Sequence, residues 1–541
     1  MCACLKENGY VARFIDADLR RLSPEDAARL IAMDPPQIVG FTLNVGQVAF
    51  ALEYIEAIQR EFSAIPVVIG GPYVSGVGRD IFCDFPTVAY AVIGEGEFAI
   101  VDLVECLEGK KELKDVRNLL FQRDGMVHQN ASERIADLDS LPLPDYSLIT
   151  DYFDRYTAPY PSIASPSMLI MCTRGCPYAC SFCSSPVTWD RKVTFRSTDS
   201  VIKEIKLLKE MFDVKEIFFQ DDTLNARPAW FTELCDKIIE HGLHRGIYYK
   251  CAFRANRNLV TMELLQKAKA ANVWMIFYGV ESGNQDILRA MKKQVTLDEI
   301  RHAFRLTREA GIYSYASMMI GNSGETSATV QDSLTLLDEI QPDFGEFAIA
   351  APFPGSELYA VALKKGHITQ TDFKKYIFGD CILRTDQLTT SDIVALEKKA
   401  NAHFGNLRNT VGAQRKLEVE TLAVGVKVDS FPAPMHKHQK TSVYITVTNN
   451  TGERFTSMPP YPINVAYHWK NIQGDYAVYN GQRTIFQVPL LPAESRPVKM
   501  NVDAPDQPGK YLLEISLVQE DCFWFEQHLE YLPVKVEVDV V

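Results

Sequence analysis

The sequence lacks the features of several protein classes. Its 541 residues contain no apolar run long enough to span a bilayer, and the N-terminus has no basic-then-apolar signal layout. Clustered positive charge is also missing: the net charge is −13, whereas phosphate binding depends on grouped Lys and Arg. We therefore expect a cytoplasmic protein without a membrane span or a nucleic-acid partner.

The twelve cysteines do not suit a small disulfide scaffold, so reduced thiols are expected. Cys176, Cys180 and Cys183 form a Cys-x-x-x-Cys-x-x-Cys motif just after the apolar run 167–171, which predicts a buried strand. Three thiolates suit an iron–sulfur cluster with one iron lacking a protein ligand, and an open metal position is typical of catalysis. Two alternatives stay open. Cys172 could be a fourth ligand of a zinc or ferredoxin-like site, or the spacing of the cysteines could arise by chance.

The motif resembles that of the radical S-adenosylmethionine (SAM) superfamily. The resemblance implies a [4Fe–4S] cluster whose fourth iron is chelated by the amino and carboxylate groups of SAM. It also implies that Phe182, between two of the cysteines, shields the cluster and braces the adenine.

Residues 1–110 alternate between predicted strands and helices, which indicates a parallel sheet with helices on both faces. The strands are expected at 10–15, 38–42, 66–71 and 89–93. Together the loops after them resemble the cobalamin-binding domain that precedes many radical SAM domains. That resemblance implies cofactor contacts from Asp16, Thr42, Gly70, Gly71, Gly94, Glu95 and Gly96.

The sequence departs from this family pattern in two ways. Residues 1–10 resemble the second half of a helix that ends at Gly9, so the family's first strand is expected to be missing. No Asp-x-His-x-x-Gly motif is present, so a histidine ligand to cobalt is not expected.

From about residue 165 the alternation resumes and gives six strand–helix units, which matches the open six-stranded partial barrel of radical SAM enzymes. Barrels place their chemistry at the carboxyl ends of strands. The resemblance implies SAM contacts from residues at these ends: Asp221, Asp222, Arg254, Glu281, Ser282 and Gly321. Alternatives remain: the two aspartates capping the next helix, Glu281 as a surface carboxylate, and Arg254 in an interdomain salt bridge.

The C-terminal part changes pattern. Residues 371–405 are expected to be mostly helical, and period-two alternation then predicts an immunoglobulin-like β-sandwich. It loosely resembles domains attached to bacterial glycan-assembly proteins, but a packing or dimerisation module explains the aromatic residues equally well.

These observations predict an α/β chain with five segments. They are a truncated Rossmann-like cobalamin domain (1–110), a hairpin and linker (111–160), a partial (β/α) barrel (161–365), a helical extension and connector (366–420) and an all-β sandwich (421–541). The implied activity is reductive cleavage of SAM and cobalamin-dependent C-methylation of an unactivated carbon. A non-methylating radical SAM cyclase, mutase or oxidoreductase and a non-catalytic binding protein are the alternatives. The expected partners are a small-molecule, glycan or lipid-linked substrate and a reductant such as flavodoxin or ferredoxin.

Overall fold

The computed structural model describes residues 1–156, 161–376, 379–418, 423–528 and 533–541, and only the backbone of 406–411. Within these ranges four larger sheets form, two in α/β layers and two stacked as a sandwich. The predicted combination of α/β layers with a C-terminal all-β region is confirmed. No helix of the described ranges is long and apolar enough to cross a membrane.

The first sheet has the order β1-β2-β3-β4-β5, with its first three strands parallel and the last two antiparallel. Its strands are β1 (Val39–Thr42), β2 (Val67–Gly70), β3 (Tyr90–Val92), β4 (Leu119–Arg123) and β5 (Met126–Gln129). Its helices are α1 (Cys2–Glu7), α2 (Pro24–Ala32), α3 (Val48–Glu61), α4 (Pro72–Val77), α5 (Ile81–Asp84) and α6 (Glu97–Leu107).

The prediction of a strand at 10–15 is wrong. That segment has no strand neighbour within the described residues, and Val11 is 89% exposed. A strand needs a hydrogen-bonded neighbour and a buried face, and this segment has neither. The predicted hairpin at 118–128 does form, and it extends the first sheet through β4 rather than standing apart as a connector.

The central sheet is a parallel six-stranded half-barrel in the order β13-β12-β11-β10-β9-β6, which confirms the predicted partial barrel. Its strands are β6 (Ser167–Ile170), β9 (Glu216–Phe219), β10 (Tyr248–Phe253), β11 (Val273–Glu281), β12 (Tyr313–Ile320) and β13 (Phe344–Ile349). The two-residue strands β7 (Thr173–Arg174) and β8 (Thr194–Phe195) pair separately beside it.

Helices cover the outer face of the half-barrel and bury its aliphatic side chains in one large core. They are α8 (Thr198–Phe212), α9 (Pro228–Glu240), α10 (Met262–Ala270), α11 (Gln285–Ala290), α12 (Leu297–Glu309), α13 (Ser327–Ile340) and α15 (Thr390–Gly412). Two further helices contribute nothing to this core: α7 (Ser185–Trp189) packs against α4, and α14 (Glu357–Lys364) belongs to a separate small cluster. The expected helical stretch thus starts at Thr390 rather than 371.

The C-terminal region stacks two antiparallel sheets around a shared apolar core. Its strands are β14 (Val424–Ser430), β15 (Lys440–Asn449), β16 (Ile463–Asn471), β17 (Tyr476–Val478), β18 (Thr484–Ile485), β19 (Ser495–Asp503), β20 (Gly509–Gln519), β21 (Phe523–Trp524) and β22 (Val534–Val540). The predicted sandwich is therefore present.

The sandwich closes the amino-terminal end of the half-barrel. Val488 is fully buried in one apolar cluster with Trp274 and Phe344 at the strand starts. Beside this cluster lies a buried ion pair, Lys250 Nζ to Glu216 Oε2 at 3.0 Å, with both side chains fully buried. The opposite, carboxyl end of the half-barrel is where the cysteine motif lies.

Candidate functional site

The three motif cysteines lie in the loop that leaves β6, above the carboxyl ends of the barrel strands. Ser181 fixes this loop from both sides: its N–H donates to Met291 O (2.9 Å), and its carbonyl accepts from Leu358 N (2.7 Å). Gly175 opens the loop with a φ of +91°, and a Cβ there would stand 2.3 Å from Lys192 O. Only glycine fits that position without moving the backbone.

Each of the three sulfur atoms has a polar neighbour. Cys176 Sγ lies 3.3 Å from Thr223 Oγ1, and Cys183 Sγ accepts from Ser185 N at 3.4 Å. Cys180 Sγ lies 3.6 Å from Arg254 Nη1. Ser185 N and Arg254 Nη1 are donors, whereas the Thr223 hydroxyl donates its own hydrogen to Asp222 O.

Cys172 lies apart from this trio. It is fully buried in the hydrophobic core of the half-barrel, and burial raises the pKa of its thiol well above the ordinary value. The side chain thus behaves as a small apolar residue, which favours three ligands over four.

The donor set fits a cluster better than a single ion. Within the described ranges, no three His, Cys, Asp or Glu side chains gather closely enough to hold one metal ion. A [4Fe–4S] cluster does not need such convergence, because each thiolate binds a different iron. Burial raises the pKa of Cys183 to about 12, and coordination to a metal removes that proton.

Asp221 and Asp222, predicted to contact SAM, anchor the cysteine loop. Asp221 Oδ1 accepts from Cys172 N (3.0 Å) and from Thr173 Oγ1 (2.7 Å). Asp222 Oδ2 accepts from Ser185 Oγ at 2.5 Å. Asp221 Oδ2 is buried without a partner, and burial raises the pKa of this carboxyl to about 7.

A buried network joins the ends of β10 and β11. Glu281 adopts a φ of +67°, rare for a residue other than glycine, and its Oε1 accepts from Lys293 Nζ at 2.6 Å. Lys293 lies 5.8 Å from the centre of the Phe182 ring, and its carbonyl accepts from Arg254. Sequence reasoning missed Lys293, because no local signal links this turn residue to a strand twelve positions earlier.

Two more predicted positions lie at the ends of β11 and β12. The buried Ser282 hydroxyl accepts from Asn284 N at 3.2 Å. The N–H of Gly321, whose φ is +99°, donates to Glu325 Oε2. Glu325 Oε1 and Asn322 Nδ2 are buried and unpartnered. With Asp221 Oδ2, these atoms could bind the polar groups of SAM, since buried polar atoms normally have partners.

The strand-end loops of the first sheet carry Thr42, Gly70, Gly71 and Gly94. Gly71 has a φ of +102°, and a Cβ there would stand 2.8 Å from Leu43 O. The loops after β1 and β2 thus approach each other through bare backbone at Gly71, and the cobalamin contacts expected here stay a prediction. Asp16 lies elsewhere, accepting from Tyr156 OH at 2.8 Å, because no strand forms ahead of it.

Glu95 connects the first sheet to the cysteine loop. The carboxylates of Glu95 and Glu97 accept from Arg174 Nη1 (2.6 Å) and Nη2 (2.5 Å), and Glu95 also accepts from Ile135 N. Gly96, next to it, faces Met1. Glu95 thus has an interdomain role that sequence analysis did not foresee.

The two α/β regions meet directly at the cluster loop. Helix α4 packs against α7, which follows the last cysteine. At Gly76 a Cβ would stand only 2.3 Å from Pro354 O, so the backbones touch. Nearby, a cavity of about 700 Å³ opens between α1, the linker and the ends of β6 and β9. Its lining mixes apolar linker residues with charged side chains such as Arg174, Arg196 and Asp222, and it includes none of the residues predicted to contact cobalamin.

Comparison with known proteins agrees with this architecture. Residues 170–337 match the family model of the radical SAM superfamily, and residues 1–104 match the B12 binding domain. The matches assign a [4Fe–4S] cluster and SAM to the half-barrel and cobalamin to the first domain.

Individual proteins are similar to this chain over about 70% of its length. An uncharacterized methyltransferase of Pyrococcus horikoshii is 27% identical, over 74% of this chain and 86% of its own length. An anaerobic magnesium-protoporphyrin IX monomethyl ester cyclase of Cereibacter sphaeroides is 28% identical over 73% of this chain, which spans 64% of that protein. The structure of the methyltransferase TsrM from Kitasatospora setae, with cobalamin and a [4Fe–4S] cluster bound, has a TM-score of 0.57. It shares 18% identity over 68% of this chain and 72% of its own, so it supports the fold alone.

Proposed function

We propose that this chain, which belongs to the radical SAM superfamily and carries a B12 binding domain, is a cobalamin-dependent C-methyltransferase acting on an unactivated carbon. The observation that carries the proposal is the ion pairing of Arg174 with Glu95 and Glu97. Arg174 lies two residues before the first cluster cysteine, so the strand-end loops of the B12 domain face the cluster.

Similarity to named enzymes supports methyl transfer. The Pyrococcus protein is named a methyltransferase, and a hopanoid C-3 methylase of Methylococcus capsulatus is 23% identical over 70% of both chains. The similarity to the ester cyclase supports a second candidate, a radical SAM enzyme that does not methylate.

The chain's own residues hold and orient the cofactors. Cys176, Cys180 and Cys183 hold the cluster, while Asp221 fixes the backbone where their loop begins. SAM would lie among the unpartnered atoms of Asp221, Asn322 and Glu325. Once bound, the cluster and SAM supply a substrate radical, and cobalamin supplies the methyl group.

A substrate would lie above the inner face of the half-barrel. Phe277 and Tyr315 lie side by side there, with ring centres 4.5 Å apart. One step nearer the cluster, the same row continues with Gly279 and Ser317, and the Glu281–Lys293 ion pair packs against Gly279. The aromatic pair and the sandwich below it exclude water from that end. The substrate would be a small molecule or a glycan- or lipid-linked one, and the reductant a cytoplasmic flavodoxin or ferredoxin.

Labelled SAM tests the proposal. Anaerobically reconstituted protein is incubated with methyl-labelled SAM, a reductant and an extract of the source cells. We expect 5′-deoxyadenosine to form and label to enter a non-protein product. Cys180→Ala should abolish both, whereas Cys83→Ala, an exposed cysteine outside the motif, should change neither. Formation of 5′-deoxyadenosine without label transfer would favour the non-methylating candidate, and its persistence in Cys180→Ala would refute the site.

A further inference from the structure

Arg254 places a buried positive charge against the cluster loop. Its side chain follows β10, the residue is 6% exposed, and Nη1 lies 3.6 Å from Cys180 Sγ. The guanidinium also covers the Tyr178 ring, with 3.6 Å between its carbon and the ring centre. Tyr178 stands between two of the cluster cysteines in sequence, so the charge lies inside the motif's own loop.

The arginine is held firmly in this position. Its Nε donates to Asn256 Oδ1 at 3.1 Å, and Nη2 donates to the carbonyl of Lys293. Asn225 fixes the backbone on both sides, accepting from Arg254 N (2.9 Å) and donating to Arg254 O (3.0 Å). Because the side chain has these partners, it cannot turn away from Cys180 without breaking several hydrogen bonds.

No carboxylate neutralises this arginine. Among the residues that the structure describes, no Asp or Glu oxygen lies within 4.0 Å of its nitrogens, unlike Arg174 and Arg196, which have carboxylate partners. A guanidinium stays charged in proteins, and a buried charge normally has a counter-charge. The Cys180 thiolate, with its Sγ 3.6 Å from Nη1, can supply the missing negative charge.

We infer that Arg254 is the counter-charge of the Cys180 thiolate and raises the reduction potential of the cluster. A fixed cation stabilises the reduced cluster more than the oxidised one, because reduction adds negative charge. Hydrogen bonds to the sulfurs and the net charge nearby set the potentials of iron–sulfur clusters. The inference rests on the three-cysteine cluster and not on methyl transfer.

Redox titration of the reconstituted full-length protein tests this, with the reduced cluster followed by electron paramagnetic resonance in the absence of SAM. Arg254→Gln keeps donor groups and removes the charge. At a fixed potential we expect its reduced-to-oxidised ratio to fall at least tenfold, a midpoint about 59 mV lower. Arg254→Lys, which keeps a positive charge, should lower the midpoint potential by less. Arg257→Met, which removes the charge of an exposed neighbour, should leave the midpoint unchanged.

Each outcome is decisive. An Arg254→Gln protein with the wild-type iron content and midpoint would overturn the inference. So would a shift that appears only with SAM added, because Arg254 would then serve the carboxylate of SAM. If Arg254→Gln does not retain iron, retention by Arg254→Lys supports the role of the charge, and failure of both variants contradicts it. The redox titration tests the role of Arg254, and label transfer from SAM tests the proposed methylation. Either can therefore fail without the other.

Discussion

Replacing Glu325 by glutamine should change how stability depends on pH. This carboxyl is fully buried, and Oε1 has no partner, although Oε2 accepts from Gly321 and Asn322. Burial raises its pKa from 4.5 to about 7 in the folded state. An acid with a raised pKa favours folding while it is protonated. Its contribution is therefore complete below about pH 4.5 and is lost as the pH rises towards 7.

The size of the effect follows from this shift. A displacement of about 2.5 pKa units corresponds to about 3 kcal/mol over the whole range, of which about 1 kcal/mol is lost between pH 6 and pH 8. Glu325→Gln cannot ionise, so its stability relative to wild type should rise by about that 1 kcal/mol over the same interval. Asp221 has a similarly raised pKa and stays as background in both proteins.

Urea unfolding of the apoprotein at pH 6, 7 and 8, followed by circular dichroism, measures this difference. Glu53→Gln, at an exposed position on α3, is the matched control and should show the same pH dependence as wild type. A Glu325→Gln protein whose stability falls with pH as steeply as that of wild type would refute the reasoning. Ionisation of Glu325 would then not reduce the free energy of unfolding.

Three further changes have defined outcomes. Lys250→Met leaves the Glu216 carboxylate buried without its cation, so the free energy of unfolding measured by calorimetry should fall by about 3–5 kcal/mol. Adding Glu216→Gln to this variant should restore part of the lost stability. Gly76→Val forces the B12 domain away from Pro354, so label transfer should fall while 5′-deoxyadenosine still forms. Arg174→Gln removes both interdomain ion pairs and should likewise reduce label transfer, whereas unchanged transfer would show that the pairs do not orient the domains.

Local signals in the sequence were sufficient for much of the fold. Ser23 before Pro24 is a typical helix start, and its hydroxyl accepts from Asp26 N at 3.1 Å at the beginning of α2. The Asp124-Gly125 pair is typical of a hairpin turn, and both residues adopt the positive φ that such a turn needs. The six-unit alternation and the cysteine spacing are likewise properties of short segments, so they can be recognised without knowing which segments meet.

Contacts between distant segments could not be predicted in the same way. The strand expected at 10–15 has a suitable composition, but a strand also depends on a neighbour that only the folded sheet supplies. Glu216 with Lys250 and Arg174 with Glu95 are pairs of ordinary charged residues whose positions in the sequence do not mark them as partners.

The site residues show where this limit lies. A carboxylate after a buried strand can cap a loop or bind a ligand, and its sequence position is the same for both roles. In Asp221, Oδ1 accepts from the backbone of the cysteine loop, while Oδ2 is buried without a partner among the described residues. Arg254, expected to contact SAM or to form an interdomain salt bridge, lies against Cys180. Strand-end position therefore indicates which residues face the cluster, while the partner of each polar atom depends on the loops that fold over it.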